Sequence, residues 1–163
     1  DGVAVIVASH HPTAGVFGTG KAIVKALNAS PNVLLHLVGH GHKNEVIPHQ
    51  GASVAYGYWE VQTCSLADWP QQARLVELVD NRDGSGEFWM TLMDYDTHHG
   101  HPGDRALESR FFSVYELQKG ECESHIGEAT DRNVILPILF PSAVGSKLSV
   151  LPHKTVTSKL LEG

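Results

Sequence analysis

The sequence predicts an α/β fold that opens with a βαβ unit and then changes to antiparallel hairpins. Three observations carry this. Two short apolar runs, Val3 to Ala8 and Val33 to Val38, are rich in branched residues and stop at Ser9 and Gly39. Between them Ala22, Ile23, Ala26 and Leu27 recur at helical spacing. Further on, apolar residues alternate in short runs around the turn-forming stretch Asn81-Arg82-Asp83-Gly84-Ser85-Gly86.

Taken in order, Val3 to Ala8 is the first strand. Gly15, Gly18 and Gly20 lead into a helix from about Thr19 to Ala29, which Pro31 closes. Gly18-Thr19-Gly20-Lys21 superficially suggests a phosphate loop. Ala22 stands where that motif needs a hydroxyl, so the reading fails. Val33 to Val38 is the second strand, and His36, set among leucines, reads as a core histidine rather than a ligand. Ser53 to Thr63 contains a strand in which Val54, Tyr56 and Tyr58 alternate. With Arg74 to Val79 and Glu87 to Met93 it is expected to form an antiparallel meander. Trp59, Trp69 and Trp89 lie in or beside these strands and read as packing residues.

Arg105 to Gln118 reads as a helix with Leu107, Phe111, Val114 and Leu117 on one face. Residues 119–132 are polar and irregular, and Asn133 to Phe140 is apolar but broken by Pro137, which suits an edge strand. From Pro141 onward no periodicity remains, and a loosely packed tail is expected.

The chemistry concentrates in histidine. The first strand ends in Ser9-His10-His11-Pro12 and the second in Gly39-His40-Gly41-His42. Parallel strands joined by a helix bring their C-terminal ends to one sheet edge, which makes His10, His40 and His42 neighbours. Neutral imidazole binds zinc, iron, nickel and copper, and carboxylates suit manganese. Asp96-Thr97-His98-His99-Gly100-His101, followed by Gly103-Asp104, is a second histidine-rich stretch. It reads as a polar surface loop, because no helix and strand fit between its two acidic positions.

Apolar strand, His10-His11-Pro12, helix, apolar strand and Gly39-His40-Gly41-His42 together resemble the second half of the calcineurin-like metallophosphoesterase family. That family orders five blocks: Asp-x-His, Gly-Asp, Gly-Asn-His, a strand-end His, and Gly-His-x-His. The last two are represented here by His10 and by Gly39 to His42. Tyr58-Trp59-Glu60-Val61-Gln62-Thr63-Cys64-Ser65 and Asp68-Trp69-Pro70-Gln71-Gln72 are similar to a bacterial branch of the family. The resemblance spans residues 3–118 and is specific at the histidine blocks.

It implies a partial calcineurin-like phosphoesterase fold: a βαβ unit, then an antiparallel meander belonging to a two-sheet sandwich with flanking helices. Residues 1–118 would be the C-terminal part of that domain, and residues 119–163 an irregular C-terminal extension. The implied activity is hydrolysis of phosphate mono- or diesters at a dinuclear centre of divalent or trivalent ions (Mn, Zn or Fe). His10 and His40 would serve one metal and His42 the other. His11 would pack, or hydrogen-bond from behind the ligands. No catalytic or phosphate-binding residue is assigned. The carboxylate ligands belong to the first three blocks, which would precede Asp1. The chain alone is therefore expected to be inactive, with the N-terminal half of the domain as its partner.

Composition narrows the alternatives. An apolar share of 42% supports a core, and a net charge of −6 without a basic block disfavours nucleic acid and membrane surfaces as partners. No run reaches the length of a membrane span. Cys64 and Cys122 could pair or stay reduced. Location stays open, with the cytoplasm the favoured side. Two other function classes remain: a non-catalytic metal-binding module built on His10, His40 and His42, and a structural fragment. The first strand is apolar on both faces, like a strand buried within a sheet. Left at an edge it would invite pairing with a second copy, so a homodimer is also expected.

Overall fold

The computed structural model describes residues 2–15, 19–95, 102–116 and 125–148. The chain is mixed α/β, with two sheets and a few helices. In chain order the elements are β1 (Val5–Ala8), α1 (Gly20–Asn28), β2 (Val33–Val38), β3 (Glu45–His49), β4 (Tyr58–Gln62), β5 (Ala73–Asp80) and β6 (Ser85–Met93). They continue with α2 (Pro102–Glu116), β7 (Val134–Leu139) and α3 (Ser142–Leu148).

The first sheet has the order β1-β2-β4-β3. β1 and β2 are parallel, with Val7 opposite His36, and α1 connects them. β2 is also parallel to β4, with His36 opposite Glu60, and β3 is antiparallel to β4. The second sheet is an antiparallel meander, β5-β6-β7.

Several elements depart from the sequence reading. β4 does not join β5 and β6. Its Val61 and Trp59 face the same way as Leu35 and Leu37 of β2, and that row meets the second sheet. The third strand of the meander is β7, where Pro137 lies opposite Glu87 at the edge of the described sheet. β3 was not expected at all, since Glu45, Pro48 and His49 spoil its apolar pattern. Val54 to Tyr56 forms a 3-10 turn, so the alternation expected there begins only at Tyr58.

Residues after 118 contribute to both the second sheet and the core. β7 completes the second sheet, and Val144 of α3 is buried against Phe140 and the common core. The stretches 96–101 and 117–124, with His98, His99, His101, Leu117 and Cys122, lie outside the described residues.

One core joins the sheets. Leu35 and Val61 from the first meet Phe88, Met90, Leu136 and Ile138 from the second, and Leu35, Val61 and Phe88 are fully buried. Burying a side chain of this kind contributes about 1.5–3 kcal/mol.

The opposite face of the first sheet is unlike this. There the alternation of β2, β3 and β4 turns His36, Glu60, His49 and Tyr58 to one side. Glu60 is only 1% exposed and His36 only 3%. A charged residue this deep must be paired, and Glu60 is. Its carboxylate accepts from Thr13 N at 3.3 Å, Thr13 Oγ1 at 2.5 Å and His36 Nδ1 at 3.1 Å, with His49 Nε2 at 3.4 Å. Burial alone would push its pKa up. The hydrogen bonds from His49 and Thr13 outweigh that and hold it at about 2. His36 is thus a core histidine with both ring nitrogens partnered, as its setting among leucines suggests.

Candidate metal centre

The C-terminal ends of β1 and β2 are tied by the main chain. Ser9 N donates to Leu37 O, and Gly39 N donates to His10 O at 3.0 Å. The two histidine loops therefore lie side by side. His10, His11 and His40 each turn a ring nitrogen into a space in which all these atoms lie within 4.8 Å of one another. His40 Nδ1 and His10 Nε2 are hydrogen-bonded at 3.2 Å. The His11 ring lies over that of His40 with centroids 4.0 Å apart.

Local backbone explains how imidazoles reach this point. His40 and His42 both adopt the left-handed conformation, with φ of 66° and 50°. Non-glycine residues avoid this region, and positions that hold it cluster at functional sites. Gly41 between them is needed for space. A Cβ there would stand 2.5 Å from the amide of Gln62, which is buried and donates to Lys43 O.

His42 turns away from the other three. Its Nδ1 donates to Asp68 Oδ2 at 2.7 Å, and both side chains are partly exposed. The second carboxylate oxygen of Asp68 is buried and meets no hydrogen-bond donor among the described residues. Behind the loop Asn44, 1% exposed, donates to Gln72 Oε1 and accepts from Cys64 N and Arg74 Nη2. Arg74 also donates to the carbonyls of Asp131 and Arg132, which pins the segment after α2 to this side.

The structure thus groups the expected residues differently from the sequence reading. His10 and His40 stand together. His11, expected behind them, is equally a member of the cluster. His42, expected as a ligand of the other metal, lies outside this cluster and donates to Asp68. Ser9, Glu60 and Asn44 received no role from the sequence, because their partners are remote in the chain. Only the strand-end position of Ser9 and the alternation around Glu60 could have signalled them.

The electrostatics favour a neutral His40. His40 titrates below the ordinary histidine value. Loss of solvation comes first, then the like charges that His11, His10 and His42 would carry. Uncharged imidazole is the metal-binding form. Two nitrogens on one tetrahedral zinc ion, each at 2.0–2.1 Å, stand about 3.3 Å apart. The 3.2 Å between His10 and His40 matches that spacing, and with the His11 nitrogen within 4.8 Å the three side chains are a donor set that could hold a metal ion.

A cavity of about 840 Å³ lies at the other end of β2, where Leu34, Tyr58, Trp59 and Ile138 line it. The clustered ligand-type side chains lie away from it. Cys64 is a buried free thiol, exchanging hydrogen bonds with Gln72. No helix among the described residues is long and apolar enough to cross a membrane.

No protein-family model matches the chain, and no curated protein gives a significant match.

Proposed function

We propose that this chain forms the histidine-bearing part of a calcineurin-like metallophosphoesterase, hydrolysing phosphate mono- or diesters. The observation that supports it best is the convergence of His10, His11 and His40 at one parallel-strand edge. In this reading His10, His11 and His40 offer nitrogens to one ion. His42 offers its remaining ring nitrogen to another, because Asp68 already holds its Nδ1–H. Ligating histidines characteristically pass their other N–H to a carboxylate, which orients the ring. When bound, a metal pair supplies Lewis-acid polarisation of a phosphoryl oxygen and a more acidic water. The chain's own contribution is to bring the imidazoles together and orient them.

The edge position of β1 supports the further reading that carboxylate ligands come from a segment paired beside it. Ile6 of β1 is 48% exposed.

Calorimetric titration with zinc or manganese tests the first part. Uptake abolished by His10→Ala or His40→Ala is expected. Uptake indifferent to both would defeat it. The second part is tested by reading the coding sequence upstream of Asp1 for Asp-x-His, Gly-Asp and Gly-Asn-His blocks. The encoded protein is then assayed on an aryl phosphate diester. Metal binding without hydrolysis there would select the second reading, a non-catalytic three-histidine metal module. The compact His10, His11 and His40 set specifically favours that alternative.

A further inference from the structure

Beside the histidine cluster lies a different constellation. Ser9 Oγ stands 2.8 Å from His36 Nε2, and His36 Nδ1 stands 3.1 Å from Glu60 Oε2. Hydroxyl, imidazole and carboxylate follow one another in the order and at the distances of a nucleophile, its general base and the acid that orients the base. The exposures are graded in the same order: Ser9 is exposed at a strand end, while His36 and Glu60 are buried. Glu60, held ionised, accepts the Nδ1 proton of His36 and so leaves Nε2 as an acceptor. The single proton of Ser9 then has two acceptors in reach, His36 Nε2 and the carbonyl of His11 at 2.9 Å.

A cavity of about 300 Å³ opens at this point. Ser9, Thr13 and His36 line it, Val7, Ile23 and Leu27 give it an apolar wall, and His10 and His11 of the neighbouring cluster border it. A space of that size beside a hydroxyl suits a short apolar acyl group.

We propose that Ser9, His36 and Glu60 form a nucleophilic triad that hydrolyses short-chain carboxylic esters without a metal. Ser9 Oγ would attack the acyl carbon as its proton passes to His36 Nε2. The carbon–alkoxide bond then breaks, and the departing alcohol takes that proton from His36. Water repeats the sequence, giving its proton to His36 and attacking the acyl carbon, and Ser9 leaves with the proton restored. Water is the only co-reactant. The proposal does not depend on the phosphoesterase reading, since the metal cluster takes no part.

The test uses the purified chain in excess EDTA. It is treated with a fluorophosphonate probe and, separately, assayed on p-nitrophenyl butyrate. Labelling located at Ser9 by peptide mass spectrometry is expected, together with ester turnover. Ser9→Ala should abolish labelling and lower turnover at least tenfold, and His36→Gln should do the same. Circular dichroism of the Ser9→Ala chain shows that it remains folded, because the residue is small and exposed. Absence of labelling at Ser9 in the unaltered chain would overturn the proposal. So would turnover that survives Ser9→Ala but falls in a His10→Ala, His11→Ala double variant, since that would be hydrolysis by exposed imidazoles.

Discussion

The two faces of the first sheet use the same strands to opposite ends. On one, Leu35, Val61 and Trp59 join the core shared with the second sheet. On the other, one register position along, His36, Glu60 and His49 form a hydrogen-bonded polar layer, with the Tyr58 ring stacked on His49. The apolar face resists change through packing, so a substitution there acts through lost contact and volume. The polar face resists it through mutual satisfaction, and removing one member strands the others. Tyr58 already shows the strain of that setting. Its hydroxyl is buried with no hydrogen-bond partner among the described residues, and burial followed by the nearby Glu60 pushes its pKa up to about 12.

The sharpest way to break the comparison is Glu60→Ala. It leaves His36 and His49 facing an empty, buried site and should cost about 3–5 kcal/mol, as breaking a buried pair does. Leu35→Ala should cost about 2–5 kcal/mol through its cavity. Urea denaturation measures both. A loss under about 1 kcal/mol for Glu60→Ala would show the polar layer to be passive.

Acid should separate the two faces next. Glu60 has a folded pKa of about 2 against an ordinary value of 4.5. Its contribution is therefore present above pH 4.5 and is lost as pH falls toward 2, on the order of 3 kcal/mol at most. The stability gap between the unaltered chain and Glu60→Gln should close across that window, while the gap for Leu35→Ala should not. Chemical denaturation at pH 6, 4 and 2.5 decides it.

A third effect concerns the strand ends. If Asp68 orients His42 for a metal, Asp68→Asn should weaken zinc affinity about 10–100-fold, read by competition with a chromophoric chelator. The unfolding midpoint of the metal-free chain should barely move, because the pair is partly exposed. The smallest effect belongs to the outer face of the second sheet. Trp89, 42% exposed and bonded only to its neighbour Glu87 there, should tolerate Thr with a change within about 0.5 kcal/mol.

What was legible in the sequence follows the same division. β1, α1, β2, β5 and β6 announce themselves through local periodicity and were expected near their observed bounds. The strand-end histidines were visible for the same reason, since an apolar run that stops at His is a local signal. Non-local features were not. Glu60 sits 24 residues from His36, and nothing nearby marks the pair. β4 was placed in the wrong sheet because strand patterns state which faces are apolar, not which strand lies alongside. α3 escaped notice because a seven-residue helix with one buried side chain, Val144, shows too few turns to establish a period.

The left-handed backbone at His40 and His42 has a consequence for how this loop would respond to selection. Glycine occupies that conformation without the steric cost that histidine bears. His40→Gly or His42→Gly should therefore leave the chain slightly harder to unfold while deleting a ligand. A screen for heat resistance alone would erode the Gly-His-Gly-His sequence, one imidazole at a time. A lineage that keeps both histidines does so against the local preference of its own main chain, so their persistence would report on ligand binding rather than on folding.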